Sequence, residues 1–584
     1  MATIVLNWLI RLVSLSWLTG PIFDKELRVS SRRRRNYVLR FLYVTFFATL
    51  ATLVWVEAVP RGSTSVFQVS RMSRAGQTII LFIVWFQFIA SQVISIVILS
   101  TAISDEIYNK TLGLLMTTPI GSLQIVLGKL LSRLLQLVLL LGITLPLLAI
   151  VRVFGGVPWN FLVCGLAVTL TTALSLGCLS LFFSIFTRRA HTVIIGSFVT
   201  AGAFFILVPL LSLLMFHHVV KDQTIISYVS YVNPYLVLSE ATDAMMSARG
   251  VAFTNWPAHC GIALAGSALL LLLATIFVRK VALRQATGQN VILIGKGKGK
   301  TRRRQSVSDR LRRVVGPPIF WKERRTPWLG RFSVLRLVLG LAIVGLVVLT
   351  YVLCWRDNML DHEDVQVTYV IVFASFGVLF TMVQPATGIT SEKESRAWPI
   401  LLTTTTSSWE ILWGKFFGAA RRCSAAWVPL FAHVVLFTLF GFIHPVGIVL
   451  LAILAGWITF FLCGTGLYFS TRLKRTTAAV VSNVALAAAI WAIIPLLLAM
   501  IIGISRADDD FLEWYMDMNP FVHAVVITVA TADQGGLDRF EWIQAGTRDV
   551  HSAMAWILFV CISYVGVAMA FLGRAWSRLR RNPV

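Results

Sequence analysis

The chain is expected to fold as an all-α polytopic membrane protein, with about 12 transmembrane helices forming two parallel six-helix repeats. Three observations carry that expectation. Of its 584 residues, 57% are hydrophobic and 13% charged, whereas soluble domains carry about 25% charged residues. Its mean hydropathy is +0.79, concentrated in runs of ~20 residues, long enough to cross a ~30 Å hydrocarbon core as helices. Backbone polar groups in lipid must be satisfied within the segment, which makes helices the default. Third, SDEIYNKTLGLLMTTPIGSLQIVLGK (Ser104 to Lys129) returns as TSEKESRAWPILLTTTTSSWEILWGK (Thr390 to Lys415), at an offset of 286 with no gap. Eight of the 26 positions are identical, among them Glu106/Glu392, Thr117/Thr403, Thr118/Thr404, Gly128/Gly414 and Lys129/Lys415.

In chain order, residues 1–38 form an N-terminal segment on the cytoplasmic side or interface. Its first 20 residues are apolar with no basic stretch before them, so an interfacial amphipathic helix is expected and not a cleaved signal peptide. The first half, 39–280, holds spans near Leu39–Val56, Gln77–Ile103, a third ending near Ile150, Phe161–Phe186, Thr192–Phe216 and Ala258–Val278. A basic linker, 281–332, contains GKGKGKTRRR (Gly295 to Arg304), whose repelling charges favour an extended chain. Gly299-Lys300-Thr301 resembles the end of a phosphate-binding loop, but Ile294 stands where the first glycine is required and Arg302 to Arg304 replace an apolar helix. The second half, 333–584, holds spans near Val334–Cys354, Gln366–Ile389, Ile411–Phe440, Val446–Phe469, Thr477–Ile504 and Ser552–Leu572. The offset of 286 persists outside the repeated stretch: Pro209 matches Pro495, Asn233-Pro234 matches Asn519-Pro520, and Trp256 matches Trp542.

The net charge is +26. Its bunching at Arg32–Arg35, Lys110, Lys129, Arg188–Arg189, the linker, Arg472–Arg475 and Arg574–Arg581 follows the excess of basic residues on the cytoplasmic side. It calls for no nucleic acid. Both termini and both copies of the repeated stretch then lie in the cytoplasm, while Asp357–Asp364 and Asp508–Asp517 lie outside; Arg61, Arg71 and Arg74 are exceptions. An even number of spans per half gives both halves one orientation. The seven cysteines are scattered, without a CxxC pair, and read as small buried hydrophobes. His217-His218 are adjacent and cannot easily share one ligand face, so no metal or catalytic set is expected. None of the 26 acidic residues falls mid-span, which argues against an ion-coupled carrier, because such carriers use intramembrane carboxylates. Asn233-Pro234 and Asn519-Pro520 sit where short outer helices could turn back into the membrane.

The repeated stretch resembles the membrane subunit of ABC-2-type transporters, with two permease halves fused. The first copy carries that pattern at Glu106, Thr111, Leu112, Leu115, Thr118, Pro119, Gly128 and Lys129. The second keeps Glu392, Glu394, Leu401, Thr404, Gly414 and Lys415 and departs at Ala397-Trp398 and Thr405. The pairs Lys25-Glu26 and Lys322-Glu323, in PIFDKELR and PIFWKERR, resemble the family's interfacial helix before the first span. The resemblance implies a permease, and an exporter, driven by separate ABC ATPase subunits in two copies. ATP and Mg are then expected in that partner and no cofactor in this chain. A non-transporting scaffold of the same fold and an ion-coupled carrier remain the alternatives.

A short cytoplasmic helix with charged ends makes a handle for a soluble partner. Leu112 and Leu115 followed by Thr117-Thr118-Pro119 suggest a helix that breaks at a turn, one face on the bundle and the other on an ATPase. The residues expected to couple are Glu106, Thr117, Thr118, Pro119, Gly128, Lys129, Glu392, Glu394, Thr403, Thr404, Gly414 and Lys415. The two glutamates could pair with a partner's cations or with Lys129 and Lys415.

Overall fold

A computed structural model describes residues 21–26, 28, 37, 40–41, 43–49, 51–52, 66–108, 111–153, 156–187, 190–216, 222–247, 255–286, 316–325, 334–505, 509–532, 540–543, 546–548 and 550–579. The expected helix at 1–20, Arg32–Arg35, Lys110, Arg188–Arg189, His217-His218 and most of the linker lie outside them. The chain divides into two compact units, Met1–Val291 and Ile292–Val584. Ten helices among the described residues are long and apolar enough to cross a membrane. Of the other two expected spans, the first lies partly outside the described residues, and the seventh is represented by the shorter apolar helix Gly340–Arg356. The protein is an integral, multi-pass membrane protein.

In the first unit, residues 43–49 are helical and Phe47 packs edge-on against Phe82 and Phe86. Those rings belong to α1 (Val66–Leu99). The short helices α2 (Ser104–Tyr108) and α3 (Leu112–Met116) lead into α4 (Ser122–Gly142) and α5 (Leu145–Arg152). Next come α6 (Trp159–Phe186), α7 (Ala190–Gly202), a π-helical turn Ala203–Leu207 and α8 (Val208–Phe216). The shorter helices α9 (Asp222–Ser230) and α10 (Pro234–Met246) precede α11 (Trp256–Ala286). The centre is α6, packed against both α1 and α11. Lipid tails give no hydrophobic drive between helices, so small hydroxyls act as fasteners. Ser95 Oγ donates to the carbonyl of Ala173 at 2.6 Å, and Ser180 Oγ to that of Ile96 at 2.8 Å.

The second unit repeats this order. It runs α12 (Pro318–Arg325), α13 (Val334–Arg356), α14 (Glu363–Val383), a 3₁₀ turn, then the short α15 (Thr390–Glu394) and α16 (Trp398–Leu402). It continues with α17 (Ser408–Leu439), α18 (Val446–Arg472), α19 (Thr476–Ala488), a π-helical turn Ala489–Ile493 and α20 (Ile494–Ser505). It ends with α21 (Asp510–Met516), α22 (Pro520–Ala532), a hairpin of β1 (Phe540–Trp542) and β2 (Gly546–Arg548), and α23 (Val550–Arg578). The central helix is again the fourth span, α18, against α23, α17 and α14. Buried Asn483 ties three elements: it accepts from Thr465 Oγ1 at 2.8 Å and donates to the carbonyl of Met382 at 2.7 Å. The hairpin is not foreseen by the sequence reading. It forms because Phe540 and Trp542, flanking the exposed Glu541, are buried in the core of this unit.

The two Asn-Pro pairs have one physical explanation. Proline lacks an N–H, so Pro209 cannot satisfy the carbonyl of Phe205, four residues back, and Pro495 cannot satisfy that of Trp491. A freed carbonyl in lipid must find another donor. Asn233 Nδ2 donates to the carbonyl of Phe205 at 2.8 Å, and Asn519 Nδ2 to that of Trp491 at 2.7 Å. In each case the asparagine's oxygen caps the following helix, accepting from the backbone N–H of Tyr235 (2.9 Å) or Phe521 (3.0 Å). One side chain thus fastens the start of α10, or of α22, to the π-helical turn of the fifth span. Asn519→Ala strips both bonds and is expected to cost about 1–3 kcal/mol, read as a lower unfolding midpoint of the purified protein. An unchanged midpoint contradicts the assignment.

Candidate functional site

Each copy of the repeated stretch folds as two single-turn helices and a turn leading into the third span. In the first unit, Thr111 N donates to the carbonyl of Glu106 at 3.0 Å; in the second, Ala397 N donates to that of Glu392 at 2.9 Å. Arg396 joins α15 to α16 with φ of 57°, a left-handed conformation that few side chains adopt. The threonines close the next turn on their own backbone: Thr117 and Thr118 donate to the carbonyls of Leu114 and Leu115, and Thr403 and Thr404 to those of Ile400 and Leu401. The third span then starts on a polar cap. Gly121 N donates to Gln124 Oε1 at 3.1 Å, and Ser407 and Glu410 form a full reciprocal capping box.

The structure separates the expected residues into two groups. Thr117, Thr118, Pro119, Thr403 and Thr404 are exposed, and beside them Leu114 and Ile400 are each 70% exposed. Lys129 and Lys415 are buried, at 7% and 3% exposure, and Gly128 and Gly414 are buried next to them. These lysines are the roots of the elements and the turns are their tips.

At the first root, Lys129 Nζ donates to Glu106 Oε1 at 2.9 Å and to the carbonyl of Ala102 at 2.8 Å. Thr111 Oγ1 donates to the other oxygen of Glu106. The lysine therefore joins α4 to the end of the second span. At the second root, Lys415 Nζ lies 2.6 Å from both Glu392 and Glu323. Arg422 pairs with Glu323, and Lys322 with Glu392 at 3.1 Å. The Lys322-Glu323 pair thus grips this root, and in the first unit Glu26 stands 3.9 Å from Arg133 of α4. Burial pushes the Glu323 carboxyl up, but Lys415 and Arg422 outweigh it and hold the group below its usual value of 4.5.

Close helix approach makes this network possible. A side chain at Gly414 would place Cβ 2.8 Å from Ile319 Cγ2, and one at Gly418 would place it 2.6 Å from Glu323 Cβ. The Gly-x-x-x-Gly face of α17 is therefore the seat of α12.

The second element has a further anchor that the sequence reading missed in part. Lys393 donates to the carbonyls of Ser470, Thr471 and Leu473 at the end of α18. Glu394 accepts from Thr476 N at 2.7 Å and Thr476 Oγ1 at 2.8 Å, at the start of α19. Cation at a helix C-terminus and anion at an N-terminus both suit the helix dipole. Burial, reinforced by Lys474, pulls the Lys393 ammonium down to about 8. The offset places Ile107 and Tyr108 here in the first unit, so this anchor belongs to the second alone. Asp517, also missed, is 1% exposed and accepts from Ile543 N at 2.9 Å, tying the hairpin to α21.

Lys415→Met leaves two carboxylates without their shared cation and is expected to cost about 3–5 kcal/mol at neutral pH. Because Glu323 titrates lower in the folded protein than in the unfolded chain, its contribution is present above pH 4.5 and fades as pH falls through the lower folded value. The difference in unfolding midpoint between wild type and Lys415→Met should therefore hold above pH 4.5 and shrink as the pH falls from 4.5 through that lower folded value. A difference independent of pH contradicts this account.

Comparison with known families follows the same division. Residues 21–284 match one family model and residues 360–572 a second, each described as ABC-2 family transporter protein. No curated protein matches the chain. Together the two models cover most of the chain, one in each unit, and the chain belongs to the ABC-2 family of transporters, as a permease with two such domains in tandem.

Proposed function

We propose that this permease is the membrane subunit of an exporter powered by separate ATP-binding-cassette subunits, which dock on segments 104–129 and 390–415. The observation that carries this reading is the repeated build of those segments, an exposed turn mounted on a buried Glu–Lys root. A partner pushing on the turn of α3 or α16 loads a rigid lever. The lever's root joins the second span to the third, so displacement of the turn tilts spans and not a loop. Such a rigid-body response is how a binding event at one end of a bundle reaches the other.

The basic residues of the central linker and of Arg574–Arg581 support a cytoplasmic position for this end of each unit and for both termini. ATP and Mg bind in the partner in this reading, and two copies serve the two turns. They engage unequally, since the second turn rests on Lys322, Lys393 and Glu394 as well as on the shared pair.

The test is copurification with a coexpressed ATP-binding-cassette subunit. Wild type should retain it. Leu114→Asp with Ile400→Asp, which alters only exposed tips, should lower the retained amount about tenfold or more without moving the unfolding midpoint. Full retention by that variant overturns the docking assignment. An ATPase that stays bound but supports no ATP-dependent flux favours a scaffold, and flux on an ion gradient alone favours a carrier.

A further inference from the structure

Outside the Glu–Lys roots, α12 and α17 enclose a groove of about 310 Å³ lined by Phe320, Arg324, Phe417, Gly418, Ala420 and Arg421. Its chemistry is two-sided. Phe320 and Phe417 meet edge to face at 6.4 Å and stay 39% and 51% exposed. Arg324 and Arg421 are the charged residues of its lining, with Arg421 donating to the carbonyl of Arg324. The depth of the groove is marked by neighbouring indoles. Trp413 stacks on Phe417 at 5.4 Å, Trp409 packs on Trp413, and Trp576 packs on Trp409. Clustered tryptophans of this kind settle at the membrane–water interface. An apolar floor under paired arginines at headgroup depth complements an acyl chain under an anionic phosphate. The chain's own linker, GKGKGKTRRR, has the wrong charge to fill it.

We propose that this groove is a binding site for an anionic phospholipid, its phosphate held by Arg324 and Arg421 and its first acyl segment laid on Phe320 and Phe417. The site shares α12 with the second root. The side chain next to Arg324 is Glu323, which bonds Lys415 and Arg422. A lipid seated there holds α12 against α17 and so steadies the network under the second turn. This assignment depends on the groove alone and stands or falls separately from ATPase docking.

The experiment is native mass spectrometry of the full chain in detergent, titrated with phosphatidylglycerol and with phosphatidylcholine of the same acyl chains. Wild type should hold phosphatidylglycerol preferentially. Arg324→Gln/Arg421→Gln should weaken its tightest phosphatidylglycerol adduct roughly tenfold to thirtyfold for two lost cations and leave phosphatidylcholine unchanged. Phe320→Ser/Phe417→Ser, which keeps both arginines, should weaken both lipids. Lys280→Gln, in the other unit, should behave as wild type. Inorganic phosphate at millimolar concentration should not displace the lipid; displacement would mean a simple anion site and overturn the lipid assignment. Equal retention of the two lipids by wild type, or unchanged phosphatidylglycerol binding in both double variants, overturns it as well.

Discussion

A buried lysine 23 residues after a glutamate, in both halves, is the constraint on which the rest of the arrangement depends. A lysine ammonium is costly to bury unless it is paired and hydrogen-bonded. Lys129 meets that demand with Glu106 and the carbonyl of Ala102, and Lys415 with Glu392 and Glu323. The need for a partner fixes where the two single-turn helices lie, because only a particular path between the second and third spans returns the glutamate to its lysine. A helix as short as α2 or α15 has no stability of its own. Its position is set by the charge at its root and by the turn that follows.

The two units solve the same problem with different reserves. The first rests mainly on one pair with Thr111 in support. The second adds Lys322, Glu323 and Arg422, and fastens Lys393 and Glu394 to the elbow between α18 and α19. That elbow is where the fourth span ends and the fifth begins, and the fifth carries the proline, the π-helical turn and the asparagine latch. In the second unit, a continuous series of packed helices and hydrogen bonds therefore leads from the exposed turn to the start of α22.

Much of this was legible from duplication alone. A fixed offset of 286 pointed to the Glu–Lys pairs, the polar turns and the Asn-Pro corners, because each is repeated at the same spacing. Apolar run length identified the spans, since a bilayer sets their length directly. What the repeat could not reveal is what it does not contain. Lys393 faces Ile107 in the alignment of halves, and Gly418 faces Ser132, so recurrence signals neither the elbow anchor nor the second glycine of the seat. The grip of Glu323 on Lys415 was hidden for another reason: α12 repeats at an offset of 297, out of step with its partner. Pro209 and Asn233 were each visible as repeated residues, but the carbonyl that connects them belongs to Phe205, whose counterpart is Trp491. Only the folded chain brings that backbone atom to the asparagine.

The central claim is that glutamate and lysine act as one mechanical joint. A double-mutant cycle on Glu106→Gln and Lys129→Met, read as ATP hydrolysis by the complex of permease and ATP-binding-cassette subunit in liposomes, tests it most directly. The account predicts that the double variant loses no more activity than the worse single variant, since either change opens the joint. Losses that multiply would show that the two residues act separately, and would contradict it.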